Sequence, residues 1–274
     1  MNLTPPPPRR VPDASVPGPV APDFPDASPS GIPDGPAWRI PVGIVAPYDM
    51  ALDSELWRWV PDTAALLFAR TPYEALPVTL EMVRLLGDEA ALRATTEQLK
   101  MISPAAYAFA CTSGSFVNGR DGERAIATAM AEAGGAPAVT TSGAVVAALA
   151  ALGAGAVAIA TPYDAEITAK LARFLAEHEI DVTGAAHLGL DSEIWAVPYR
   201  RTAELIRQAN TPDAQAIVVS CTNLPTYDLI SPLEAELGKP IVSANQATMW
   251  AVLRAVGLEA VGPGQRLLEA TLQR

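Results

Sequence analysis

From residue 38 onward the chain alternates short apolar runs with longer stretches in which apolar side chains recur at helical spacing. "WRIPVGIVAPYD" carries a strand-like run, Ile40 to Ala46, stopped by Pro47. Leu52, Leu56 and Trp59 then follow a helical pattern, and "TAALLFAR" predicts a second strand ending near Arg70. The stretch from Pro77 to Met101, with Leu80, Val83, Leu85, Leu86, Leu92 and Leu99, predicts one long amphipathic segment. "AYAFACTSGS" reads as a strand and its exit loop, and "GERAIATAMAEAGG" as a helix closed by Gly134 and Gly135. "PAVTTSGAVVAALAALG" predicts a short strand, a polar turn and a helix ended by Gly153.

The pattern then starts again. Ala156 to Ala160 is strand-like and runs into a second "PYD", followed by a helix, the strand and loop "DVTGAAHLGL", and a helix over Arg200 to Ala209. "AQAIVVSCTNLPTY" is a second strand ending in cysteine, and "KPIVSANQATMWAVLRAVGL" parallels the earlier strand, turn and apolar helix. Three landmarks recur in one order: Pro47-Tyr48-Asp49 with Pro162-Tyr163-Asp164, Cys111-Thr112 with Cys221-Thr222, and Ser142 with Ser243. Strands alternating with helices imply parallel sheets. The expected fold is α/β, with two similar parallel-sheet lobes related by pseudo-two-fold symmetry, over residues 38–153 and 154–274. The C-terminal helix is free to pack back on the first lobe. Ligands in such sheets bind beyond the carboxyl ends of the strands, so the cleft between the lobes is the expected active site.

Composition narrows the partners. The 274 residues carry a formal net charge of −11, which disfavours nucleic acid and anionic membranes, since both call for a basic face. No apolar stretch reaches membrane-spanning length without a Pro, a Gly or a charge. Residues 1–37, rich in proline and poor in large apolar side chains, are expected to form a disordered tail. They lack the apolar core of a signal peptide, so a cytoplasmic location with free thiols is expected.

The two cysteines are the candidate chemistry. A thiol works as nucleophile or base only as thiolate, and something must lower its pKa. Of the two histidines, His178 reads as surface and His187 as structural, so a histidine-assisted site is poorly supported. The remaining source is the backbone: "CTSGS" and "CTNLP" offer N–H groups to an anion, and Thr112, Ser113, Ser115, Thr222 and Asn223 add neutral donors. Such donors suit a small carboxylic acid, and the enediolate formed when an α-proton leaves. Tyr163, on the rim after a strand, could donate a phenol to a carboxylate. Inert buried packing and a Cys111–Cys221 disulfide are the competing explanations, but an inert thiol has no reason to recur in the equivalent loop. No CxxC or HExxH pattern indicates metal, and the glycines of "LGAGAV" precede a strand, unlike a dinucleotide loop.

"VGIVAP", "ACTSGS", "ATPYD" and "VSCTNLPT" together resemble the aspartate/glutamate racemase superfamily, most closely its branch of maleate cis-trans isomerases, arylmalonate decarboxylases and ectoine-utilisation isomerase-like proteins. The resemblance covers roughly Arg39 to the C-terminus. It implies a cofactor-independent enzyme with no metal, catalytic Cys111 and Cys221, and Thr112, Ser113, Tyr163, Thr222 and Asn223 holding a small carboxylic acid, with Pro47 and Tyr48 also contacting it. A homo-oligomer is expected. Cis-trans isomerisation of a maleate-like diacid leads, with Cys111 as nucleophile and Cys221 as acid/base partner. Racemisation of an amino acid or an ectoine-derived amino acid, and a non-catalytic acid-binding role, are the alternatives. Arylmalonate decarboxylases hold glycine at the first cysteine position, so Cys111 disfavours that reaction. The branch's asparagine-containing loops are replaced here by "APYDMALD" and by "LDSEIW" with Asp191 and Ser192, which shifts the expected substrate toward a longer or amino-bearing acid.

Overall fold

The computed structural model describes residues 39–272. The expected disordered tail over 1–37 lies outside the described residues. The first sheet is built from β1 (Ile40–Ala46), α1 (Asp53–Leu56), β2 (Ala64–Arg70), α2 (Leu80–Leu86), α3 (Glu89–Glu97), β3 (Ala106–Phe109), α4 (Thr112–Phe116), α5 (Gly119–Gly134), β4 (Ala138–Thr140) and α6 (Thr141–Leu152). The second comprises β5 (Ala156–Thr161), α7 (Ala165–Glu177), β6 (Asp181–His187), α8 (Tyr199–Ala209), β7 (Ala216–Val219), α9 (Tyr227–Leu237), β8 (Ile241–Ser243), α10 (Ala244–Ala255) and α11 (Arg266–Leu272).

All pairings are parallel, in the orders β2-β1-β3-β4 and β6-β5-β7-β8, so the second sheet repeats the first four strands later. Central strands of parallel sheets are covered on both faces, which is why β3 and β7 are buried at every position. The expected two-lobed parallel α/β fold is the fold observed.

Details differ from the sequence pattern. The stretch from Pro77 to Met101 is not one helix: α2 stops at Gly87, and Asp88 starts α3 by accepting the N–H of Ala91 at 2.8 Å. A side chain at Gly87 would place its Cβ 2.5 Å from the Gly114 carbonyl, so this glycine lets the end of α2 press against α4. The Ser142–Ser243 match is two residues out of register. Ser243 caps α10 through the N–H of Gln246, and the residue doing the same for α6 is Thr140, through Gly143.

The helices after the last strand of each sheet are apolar nearly all round, the pattern of a buried helix. They pack on each other, joined by the Thr141 and Thr248 hydroxyls at 2.8 Å. Moreover, α10 of the second half lies on β3 and β4, α6 of the first lies on β8, and α11 rests on α6. Among the described residues no helix is long and apolar enough to cross a membrane.

Candidate functional site

Each cysteine lies two residues beyond an equivalent strand, Cys111 after β3 and Cys221 after β7. Cys111 is the N-cap of α4, and its Sγ accepts the N–H of Gly114 at 3.4 Å. A Cβ on Gly114 would sit 3.1 Å from that sulfur, so glycine here permits the close approach. Cys221 has φ of +95°, a region that costs a non-glycine residue about 1–3 kcal/mol and persists only where its surroundings enforce it. Its Sγ accepts the N–H of Asn223 at 3.4 Å, and its own N–H donates to Thr112 Oγ1 at 3.3 Å. The residue beside one cysteine thus holds the backbone of the other.

Both thiols border a single cleft. Of the residues picked from sequence, Pro47, Thr112, Ser113, Tyr163, Thr222 and Asn223 also border it. Val78, Met82, Val83, Leu86 and Ile194 supply an apolar wall, and sequence reasoning had singled none of them out for the site. Tyr48 is a correction. It does not border this cleft, lines a separate cavity with Thr71 and Glu74, and packs edge-on to Tyr73 at 5.4 Å. Asp49 occupies the cleft instead. Pro47 to Met50 form a turn closed by the Met50 N–H on the Pro47 carbonyl at 3.2 Å, and from it Pro47 and Asp49 reach the cleft while Tyr48 does not.

The two "PYD" copies have therefore exchanged roles. In the second, Tyr163 faces the thiols, and Asp164 is spent on capping α7 through the N–H of Ile167 at 2.8 Å. An outer compartment shares Asp49, Val78, Met82, Ile194 and Asn223 with the cleft, and extends past Leu76 to Trp195. Asp191 and Ser192 border this outer space rather than the thiols. His178 is not a surface residue: it is half-buried with its ring 4.8 Å from Phe174, and its pKa is lowered by burial and then by Arg120 and Arg124. His187 is exposed at the end of β6, and neither histidine borders the cleft.

Burial pushes both thiols from 9.0 up to about 12, and the charge of Asp49 pushes the same way. The N–H groups of Gly114 and Asn223 oppose the shift. Burial, then the neighbouring Cys221, holds the Tyr163 hydroxyl well above its ordinary value. The resting site therefore carries two neutral thiols and a neutral phenol. Each sulfur nonetheless has a backbone donor in place for a thiolate, and Thr112 Oγ1, accepting from Cys221, keeps its own O–H for a ligand oxygen.

Two buried networks fix this geometry. Ser115 Oγ lies 2.7 Å from the Cys111 carbonyl and 2.7 Å from Ser142 Oγ, which donates to the Thr112 carbonyl at 3.0 Å. On the other side, the buried Glu55 carboxylate accepts from Thr226 N at 3.0 Å, Thr226 Oγ1 at 2.7 Å and Asn245 Nδ2 at 3.1 Å. Asn245 Nδ2 also reaches the Thr222 carbonyl at 3.0 Å. Glu55 carries no local sequence signal, because its partners lie some 170 to 190 residues away. Among the described residues no cluster of three or more His, Cys, Asp or Glu side chains is placed to hold a metal ion.

Comparison with known proteins places this site in context. Residues 58–268 match the family model described as arylmalonate decarboxylase. The arylmalonate decarboxylase of Bordetella bronchiseptica is 34% identical over 206 residues, covering 72% of this chain and 85% of that protein. A maleate isomerase of Nocardia farcinica is 28% identical over 170 residues, covering 59% of this chain and 68% of that one. The crystal structure of the maleate isomerase Iso from Pseudomonas putida S16 superposes with a TM-score of 0.76 at 25% identity, over 84% of this chain and 98% of that one. By this match and by its paired parallel sheets, the chain belongs to the arylmalonate decarboxylase/maleate isomerase family of the aspartate/glutamate racemase superfamily.

Proposed function

We propose that the chain is a cofactor-independent isomerase in which Cys111 and Cys221 act on one small carboxylic acid held between them. The observation that carries this is the equivalence of the thiols: the same offset from equivalent strands, one backbone N–H on each sulfur, and one shared cleft. A decarboxylase needs a single proton donor, and a binding protein needs no thiol, so neither accounts for the pair.

In the reading favoured here, one cysteine gives up its proton to solvent as the acid binds. Its thiolate then removes the proton from the carbon next to the carboxylate. The C–H electron pair moves into the carboxylate, giving an enediolate whose oxygens are met by Thr112, Ser113, Thr222 and the Tyr163 phenol. The opposite thiol delivers its proton to the other face of the carbon. One proton leaves and one arrives, the configuration inverts, and the thiols have exchanged protonation states.

A second reading is favoured by the maleate isomerases among the relatives. One thiolate adds to an alkene carbon, the other thiol protonates its neighbour, the resulting single bond rotates, and reversal of both steps gives the trans acid. Asp49 in the cleft keeps this reading second for a maleate-like diacid, because it sets a third carboxyl group beside the two of the substrate.

Three parallel assays test the proposal: deuterium wash-in at the α-carbon of enantiopure small acids, loss of maleate absorbance, and carbon dioxide release from phenylmalonate. Wash-in or maleate turnover that disappears in Cys111→Ser and in Cys221→Ser is expected. Release of carbon dioxide that needs Cys221 but survives Cys111→Ser would overturn the isomerase reading, and full activity in the double variant would overturn thiol chemistry altogether.

A further inference from the structure

Asp49 stands where the thiol cleft meets the outer compartment, and borders both. Its place is set from the second lobe. Asn223 donates to the Asp49 carbonyl at 2.9 Å, and its side-chain oxygen accepts the N–H of Ala51 at 2.8 Å. Asn223 is the residue whose own N–H rests on the Cys221 sulfur, so the backbone that carries Asp49 is tied to the Cys221 loop instead of forming a free turn. Among the described residues no side chain makes a hydrogen bond to the Asp49 carboxyl, which meets only its own backbone N–H, and the opposing charge of Arg70 is already engaged by Asp53 and the Pro47 carbonyl.

The lining of the two compartments contains Asp49, Asp191 and Glu193 and no Lys or Arg. A small monocarboxylate finds its donors at Thr112, Ser113 and Thr222. A second anionic group on the same ligand would meet a like charge with no cation to offset it. A cationic group reverses the balance: it pairs the one unmatched carboxyl in the cleft and cancels the field that Asp49 exerts on both sulfurs.

We propose that Asp49 is the specificity-determining residue of the cleft and that it receives an ammonium or comparable cationic group, so that the ligand between the thiols is a zwitterion rather than a dianion. This builds on the two-thiol site proposed above and assigns its substrate class. Burial, which raises the Asp49 pKa, is the cost that a ligand cation relieves.

The test is calorimetric binding to the full chain of three acids of one chain length: butyrate, succinate and γ-aminobutyrate. The intact protein is expected to bind γ-aminobutyrate about tenfold or more tightly than succinate, a difference that one partly buried charge contact suffices to produce. In Asp49→Asn that order should narrow or invert, with succinate gaining, γ-aminobutyrate losing, and butyrate changing least. Asp49→Ser should move in the same direction, which guards against a local disturbance by the asparagine. Tighter binding of succinate by the intact protein, an order indifferent to both substitutions, or no distinction among the three acids would each overturn the proposal. None of these readouts requires turnover. Inert thiols with the binding order intact would sink the catalytic reading alone.

Discussion

The backbone N–H of Cys221 donates to the hydroxyl of Thr112, the residue that follows Cys111, at 3.3 Å. This single bond crosses from one cysteine loop to the other and helps to hold Cys221 at its left-handed φ of +95°. Thr112→Ala should therefore do more than remove a ligand donor. It is expected to lower stability by about 1–2 kcal/mol, as a buried N–H loses its acceptor, and to lower kcat together with affinity. Thr112→Ser keeps the oxygen and should restore most of both. Denaturant midpoints and steady-state kinetics on the pair check this, and equal damage by both substitutions would contradict the bond's role.

The symmetry of the two thiols predicts non-additive losses. Cys111→Ser and Cys221→Ser should each reduce isomerisation by about a thousandfold or more, and the double variant should fall little further, because residues that act as a unit fail as a unit. Single-turnover measurements of α-proton exchange on the three variants suffice. Losses that multiply in the double variant would mean that the thiols serve separate steps.

A third prediction concerns pH. Burial raises both thiols to about 12, with Asp49 and the other thiol adding to the shift at Cys111, and Asp49 adding to it at Cys221. Without ligand, alkylation by iodoacetamide should be slow at neutrality and keep accelerating above pH 9. The same shift bears on stability. Each thiol is harder to ionise in the folded chain than at the 9.0 of an exposed cysteine, so its stabilising contribution is complete below pH 9 and is lost as pH climbs toward 12. Thermal scans across that window should show a decline that softens in the double serine variant. Rapid alkylation at pH 7 would show that the resting thiols are already ionised.

Glu55 predicts a structural loss with a functional echo. Its buried carboxylate satisfies Thr226 N, Thr226 Oγ1 and Asn245 Nδ2, and Asn245 in turn holds the carbonyl of Thr222 beside Cys221. Glu55→Ala strands these donors and should cost about 3–5 kcal/mol. Glu55→Gln retains one acceptor oxygen and should cost less. If the network positions the second cysteine, the glutamine variant will fold and yet lose kcat more than affinity, with alkylation of Cys221 altered and that of Cys111 unchanged. Uniform changes at both thiols would reduce Glu55 to a stabilising role.

Much of this was legible in the chain itself. Apolar runs ending in Cys111 and Cys221, and matched helices after them, were enough to give the doubled parallel sheet, because strand burial is written in consecutive residues. What the text concealed were contacts made across long separations. Tyr48 and Tyr163 of the repeated "PYD" were both expected to contact the substrate, yet the turn after each strand decides which neighbour meets the thiols, and it put Asp49 there in one copy and Tyr163 in the other. The break at Gly87 was masked by the continuous apolar spacing on either side, and its reason, the approach of the Gly114 carbonyl, is tertiary. Matching Ser142 to Ser243 failed because Thr140 performs the capping in the first copy, a substitution that letter matching does not see.

The exchange of helices between the halves, α10 onto β3 and β4 and α6 onto β8, has a consequence for how a ligand gets in. Swinging the sheets apart like a clam shell would tear those helices from their seats and wet a continuous apolar interior. Parting the segment at Val78 from the loop at Asp191 would disrupt much less, since among the described residues one backbone bond joins them, from the Val78 N–H to the Asp191 carbonyl at 2.7 Å. The outer wall is thus joined across by a single backbone bond, and the doubled body behind it by a continuous apolar interior.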